Sequence, residues 1–332
     1  MVLHTKTLIR YNFGQTYLSV RYMMASSDSQ SSSSLRWSTQ QRENYVGQLK
    51  EFVRSDKQFS IVHIASGTKT TSENDQLVSA PVSLRDVRTL YVLDSSFNPP
   101  TKAHLTLARQ ALLNDKGDKP VRMMFLLATV NADKKPKPAD FEDRLVMMSL
   151  MAHYVATEFA DQKVAVDVAV TKKPFFMDKA ACIDETGIYG QAQQVHLTGF
   201  DTIVRIFNPK YYPEDQKLKV LEPFLSKHRL RVCYREDGET SRADQEAYVE
   251  GVGDGSREAE GMKKDWRKMI ELVDDAESVK GYSSTQSRKA AVAGRMDDLE
   301  DLLGNEIAEY VMSQKLYRNQ QDVQKSGIKP RV

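Results

Sequence analysis

Two groups of residues carry most of the chemistry this sequence can offer, and both suit an anion. The first is Ser95, Ser96 and Phe97, running through Asn98-Pro99-Pro100 to Thr101 and His104. The apolar run 90–93 precedes it, and Ala103, Leu107, Ala108 and Ala111 follow at helical spacing. The segment therefore reads as strand, tight turn and helix start. Such a turn aims backbone N–H groups and the positive end of a helix at an anion. An imidazole at His104, in the first helical turn, reaches the same place. The second group is Ser283, Ser284, Thr285 and Arg288. It puts hydroxyls and N–H groups at another helix start, with a guanidinium one turn in that can hold a phosphate at two points. A plain Ser/Thr cap would look the same locally.

The elements that must position these groups alternate along the chain. Apolar spacing predicts a helix over 40–55 and strands over 59–64, 90–93 and 123–130. A helix over 141–159, a strand over 164–170 and a short helix over 174–185 follow. Short strands are expected at 195–197, 229–234 and 269–273, with helices opening near 283 and covering 306–317. The runs at 90–93 and 123–130 are continuously apolar, as strands covered on both faces are. This order predicts an α/β, mostly parallel, doubly wound sheet with helices on both faces. Ligands then bind outside the carboxyl ends of the strands, near a switch in strand order.

Composition sets the limits. The chain of 332 residues is 28% charged and 40% apolar with a formal net charge of +2, so nothing argues for nucleic acid. No apolar run is long enough for a membrane span. Two cysteines, Cys182 and Cys233, make neither a disulfide framework nor a zinc site and suit a reducing compartment. Residues 1–24 contain Lys6, Arg10 and Arg21 and no acid, the composition of a mitochondrial transit peptide. A plain extension, or a start at Met23 or Met24, is the alternative, with a cytoplasmic or nuclear location. Residues 1–38 are expected to be a disordered or targeting extension that includes the Ser-rich tract 26–34. Residues 39–320 are expected to form a single domain, with 236–264 as a solvated insertion and 321–332 as a basic tail.

The first group resembles the signature G-x-F-x-P-x-[HT]-x-x-H of the nucleotidyltransferase superfamily, with Phe97, Pro99, Thr101 and His104 matching and Ser95 standing where that family has Gly. Ser283-Ser284-Thr285-Gln286-Ser287-Arg288 is similar to its I-S-S-T-x-x-R, with Tyr282 for the Ile. Thr101, a lysine loop at 131–137 and an ending with Ile307, Tyr310-Val311 and Leu316-Tyr317 resemble the nicotinamide mononucleotide adenylyltransferase branch, here as a divergent fungal-type member. The ending is read as packing. The Trp-Glu pair usual after the third strand of that branch is not found; the corresponding region holds Phe175 and Phe176.

The resemblance implies a Rossmann-like nucleotidyltransferase fold and transfer of AMP from ATP to nicotinamide or nicotinic acid mononucleotide. Another implied reading is a cytidylyltransferase acting on a phosphorylated alcohol; a third is a degenerate relative that binds or hydrolyses ATP. His104 would stabilise the α-phosphoryl oxygens, with Thr101 donating nearby. Lys135 and Arg288 would hold the β- and γ-phosphates, with Ser283, Ser284 and Thr285 assisting. Ser95, Ser96, Phe97, Gly199 and Asp201 complete the implied ATP site. Gly199 admits a close ligand, and Asp201 either accepts from ribose hydroxyls or caps the next helix. Lys134, Arg144, Phe175 and Tyr212 are the implied acceptor contacts. Mg²⁺ would arrive with ATP, held by phosphate and water rather than by a protein cage. The implied partners are ATP and a mononucleotide acceptor, with no nucleic acid, no membrane, and a homo-oligomer left open.

Overall fold

The computed structural model describes residues 27–67, 84–115, 117, 120–129, 139–235, 240–274 and 281–318, with side chains from Arg36 onward. The strands are β1 (Phe59–Ser66), β2 (Thr89–Asp94), β3 (Val121–Ala128), β4 (Ala165–Thr171), β5 (Gln193–Gly199), β6 (Arg229–Cys233) and β7 (Ile270–Val273). They form one sheet in the order β1-β4-β3-β2-β5-β6-β7. The β4-β3-β2-β5-β6-β7 ladders are parallel, and β1 joins the β4 edge antiparallel. The chain winds outward from β2 to β4, then returns to the other side of β2 as β5. The switch in direction therefore lies between β2 and β5, whose carboxyl ends carry Asp94-Ser95 and Gly199.

Alternation within the strands covers both faces. Tyr91 and Leu93, Phe125 and Leu127, Val168 and Val170, and Leu197 meet one layer of helices. That layer comprises α1 (Ser27–Arg54), α2 (Lys102–Leu113), α3 (Phe141–Glu158) and, near the carboxyl end, α8 (Ser284–Ala293), α9 (Met296–Leu303) and α10 (Asn305–Ser313). Leu90, Val92, Met124 and Leu126 face the other way. There they meet α4 (Phe176–Glu185), while α5 (Phe200–Ile206), the single turn α6 (Glu222–Leu225) and α7 (Arg242–Asp254) pack on Leu230 and Val232 of β6 and Ile270 of β7.

Two expectations change. Order begins before Thr39, because α1 starts at Ser27 and Trp37 packs edge-on against His63 and His153, at ring distances of 6.1 and 5.3 Å. The described part of the stretch 236–264, residues 240–264, is not a solvated insertion. It lies in the crossover from β6 to β7, and Val249, Val252 and Met262 on it are buried with Trp266 in the core of that face. Arg242, Asp244, Glu246, Glu250 and Asp254 of α7 are exposed while Val249 and Val252 are buried, which is why the composition misled. Residues 1–26, the lysine loop with Lys134 and Lys135, and the tail 321–332 lie outside the described residues.

One buried ion pair ties the sheet together. Arg122 of β3 donates to both carboxylate oxygens of Asp167 on β4 at 2.5 and 2.6 Å, and the Tyr189 hydroxyl donates to the same carboxylate at 2.6 Å. Both charges are essentially fully buried. Nothing in the sequence marks them as partners.

Candidate active site at the carboxyl end of the sheet

β2 ends at Asp94, and the chain turns sharply through Phe97, whose φ is +45°. A phenylalanine takes that left-handed conformation only when its surroundings hold it there. The hold is visible: the ring is fully buried between His104 and Phe125, with centroids 5.2 and 5.7 Å away. Ring burial leaves Phe97 only its backbone to offer a nucleotide. The ring is the pedestal on which the turn and the imidazole rest.

Thr101 caps α2 and is also buried. Its backbone N–H donates to His104 Nδ1 at 3.0 Å, and its Oγ1 is 3.0 Å from the same nitrogen. Thr101 therefore aims the imidazole, and its buried hydroxyl lies against the ring nitrogen. His104 Nε2 lies 2.9 Å from Ser95 Oγ. Burial pushes the His104 pKa down to about 4, so the ring is neutral at pH 7. Ser95 and His104 are half-buried, and Ser96 is exposed at the tip.

The second group reaches the first across nearly two hundred residues. Ser284 Oγ donates to the Pro99 carbonyl at 2.8 Å, and Arg288 Nη1 donates to the Asn98 carbonyl at 2.9 Å. Arg288 Nη2 also donates to Thr285 Oγ1 at 3.0 Å. Ser283 caps α8, accepting from the Thr285 N–H at 3.2 Å. The N-terminus of α8 is thus docked on the turn that opens α2.

Arg144, on α3, sits beneath the same turn. Its Nε donates to the Ala139 carbonyl at 3.0 Å, and Nη1 lies 3.5 Å from the Ser96 carbonyl. Nη2 is buried with no hydrogen-bond partner among the described residues. Burial pulls the guanidinium pKa below its ordinary value, and the charge of Arg288 acts in the same direction. A cationic donor left buried and unpaired is costly unless something accepts from it. An anion at the turn would.

At the β5 end, a Cβ built on Gly199 meets nothing within 4 Å, so the strand end is open. Gly199 itself holds the N-cap position of α5, and Asp201 stands in the first turn. Asp201 is therefore not the cap; it pairs with Arg235 beyond β6, both half-exposed. Phe175 and Tyr212, two of the implied acceptor contacts, come together with ring centroids 6.4 Å apart and planes tilted by 53°. The Tyr212 hydroxyl donates to the Ile206 carbonyl at 2.7 Å, which fixes its ring. Among the described residues, no cluster of three or more His, Cys, Asp or Glu is placed to hold a metal ion, and no helix is long and apolar enough to cross a membrane.

Tyr317 and Tyr310, read from the sequence only as packing, and Lys179, which nothing there singled out, make polar contacts around the site. The Tyr317 hydroxyl donates to Asn98 Oδ1 at 3.1 Å, so the carboxyl-terminal ending braces the turn rather than merely packing. Tyr310 donates to Asp143 Oδ1 at 2.8 Å, next to Arg144 in the chain. Lys179 of α4 forms a buried ion pair with Asp94 at the end of β2. The Leu316-Tyr317 pair was a signal for the first of these. No local pattern announced Lys179.

The family described as cytidylyltransferase-like matches residues 92–290, a span that begins in β2 and ends in α8. A Schizosaccharomyces pombe protein named "Putative nicotinamide mononucleotide adenylyltransferase" is 32% identical over 250 residues, 75% of this chain and 94% of that one. Two solved structures of Plasmodium falciparum nicotinic acid mononucleotide adenylyltransferase, complexed with NaAD and with APC, align with TM-scores of 0.49 and 0.46. Their identities are 12% and 14%, and each alignment covers 69% of this chain and 97% of the other. The fold assignment rests on the strand order and the family match.

Proposed function

This chain belongs to the cytidylyltransferase-like family and is a nucleotidyltransferase, and we propose that it joins the AMP moiety of ATP to nicotinamide mononucleotide or nicotinic acid mononucleotide. The products are NAD, or its nicotinate counterpart, and pyrophosphate. The name of the fission-yeast relative supports the reading. The observation that carries it is the docking of Ser284 and Arg288 on the Asn98-Pro99 carbonyls, which makes one anion site of two helix starts.

In this reaction an oxygen of the acceptor's phosphate attacks the α-phosphorus of ATP. The bond to the bridging oxygen on the β side breaks, and pyrophosphate departs in line. The protein need not form a covalent intermediate; positioning and charge neutralisation supply the rate. The N-terminus of α2 and the Ser95–His104 pair face the α-phosphate. Arg288 and the spare Nη2 of Arg144 take the charge that builds on the leaving group, with Lys134 or Lys135 as further contacts. The opening at Gly199 and the carboxylate of Asp201 suit the adenosine. Phe175 and Tyr212 offer faces for the acceptor's pyridine ring. Mg²⁺ would be held by the triphosphate itself, since no group of described side chains is placed for it, and would supply screening of the triphosphate charge.

A pyrophosphate-release screen tests this assignment. ATP and CTP are each paired with nicotinamide mononucleotide, nicotinic acid mononucleotide and phosphocholine. Release with ATP and a pyridine mononucleotide is expected. Release confined to CTP with phosphocholine, or phosphate release from ATP alone, would overturn it.

A further inference from the structure

Both nitrogens of the His104 ring are already engaged, and this decides what can touch the phosphate. A backbone N–H can only donate, so the Thr101 N–H at 3.0 Å makes Nδ1 an acceptor without a proton. Burial keeps a second proton off the ring at neutral pH. The single imidazole proton is therefore on Nε2, and the atom 2.9 Å beyond it is Ser95 Oγ. Ser95 accepts that hydrogen bond, and among the described residues nothing accepts from its own O–H. Its backbone is pinned by a hydrogen bond from its N–H to the Leu126 carbonyl at 3.3 Å, and its side chain stands half-exposed at the carboxyl end of β2.

We infer that Ser95, the residue standing where the family's glycine would be, delivers the hydrogen bond to the α-phosphoryl oxygen, and that His104 acts through it as a positioning residue. The chain of donors runs from the Thr101 N–H to Nδ1, from Nε2–H to Oγ, and from the Ser95 O–H to the phosphoryl oxygen. Each bond polarises the next, and no proton changes owner. A glycine here would leave Nε2–H facing the phosphate directly. With serine, the imidazole stays behind the hydroxyl, and the hydroxyl takes over the contact. The inference rests on the adenylyl-transfer reading for its kinetic consequence and on the resting geometry for its spectroscopic one.

The test uses the full chain and the variants Ser95→Ala and Ser95→Thr. Ser95→Ala removes the hydroxyl and leaves a methyl group in the way. A fall in kcat of about 100-fold is expected, the usual scale for losing one donor to a developing oxyanion, with KM for ATP changing less than about threefold. Ser95→Thr keeps the hydroxyl and should retain kcat within about tenfold. Wild-type kcat in Ser95→Ala would overturn the inference. Nitrogen-15 NMR of His104 gives a reading independent of turnover. The apo protein should show the Nε2–H tautomer at pH 7. On addition of ATP no scalar coupling should connect Nε2 to phosphorus across a hydrogen bond. An Nδ1–H tautomer, or such a coupling, would overturn the inference even if no dinucleotide forms. Absence of dinucleotide with the expected spectra retires the proposed reaction alone.

Discussion

Replacing Arg144 with methionine separates a residue kept for function from one kept for folding. In the folded protein the guanidinium makes one good hydrogen bond, from Nε to the Ala139 carbonyl at 3.0 Å, and a long contact of 3.5 Å to Ser96. Losing the first costs about 1.5–3 kcal/mol, as bonds to charged groups do. Against this stands the relief of an unpartnered buried Nη2, worth about 1–3 kcal/mol. Relief of the burial penalty and of repulsion from Arg288 acts in the same direction. A methionine chain can follow the stem of the arginine over the Phe141 ring, which lies 5.1 Å from the guanidinium. The contributions nearly cancel. Arg144→Met should therefore unfold in urea within about 1 kcal/mol of the wild type. Its kcat/KM for dinucleotide synthesis should fall by about 100-fold, on the scale of one lost donor to transition-state charge. A loss of more than about 3 kcal/mol of stability with unchanged kcat/KM would show that Arg144 is structural and refute the reasoning.

Four further outcomes follow from the geometry. Arg122→Ala leaves the Asp167 carboxylate buried without its cation, and should cost about 3–5 kcal/mol in denaturant unfolding. Tyr317→Phe removes the bond to Asn98 Oδ1; about 1–3 kcal/mol should be lost, and kcat should fall together with the rigidity of the turn, as measured by steady-state kinetics. Asp201→Asn breaks the pair with Arg235 and should raise KM for ATP more than it lowers kcat, in initial-rate assays over a range of ATP. For pH, the His63 imidazole is held down to about 4 by burial and by His153, whereas the unfolded chain binds that proton near the ordinary 6.5. The unfolded state therefore holds more protons between those values, so stability is complete above pH 6.5 and is lost as pH falls towards 4. A urea midpoint that does not move over this window, or a His63→Phe variant with the same acid sensitivity, would contradict the assignment.

The topology was legible because continuous apolar strands and amphipathic helices alternate from residue 59 onward, and that order has few solutions. The two turns that open α2 and α8 were legible because they are local: a strand end, a turn and a helix start each leave a mark in adjacent residues. Their mutual docking was not, since Ser284 and Pro99 are 185 residues apart and only the fold joins them. Phe97 and Thr101 matched the signature, and their side chains are buried where they brace the turn and the imidazole. Lys179 with Asp94 and Arg122 with Asp167 are long-range charge pairs, for which sequence carries no periodic signal. The stretch 236–264 misled by composition: the exposed charges of α7 outnumber the few apolar residues that dock it.

The central claim is that the α-phosphate of ATP leaves this site attached to a pyridine mononucleotide. ATP labelled with oxygen-18 on its α-phosphoryl group, incubated with the full chain, Mg²⁺ and nicotinamide or nicotinic acid mononucleotide, tests it by mass spectrometry. A dinucleotide carrying the label is expected, formed one-to-one with pyrophosphate and abolished by Arg288→Ala. Label found only in ADP or AMP, with no dinucleotide from either acceptor, would contradict it.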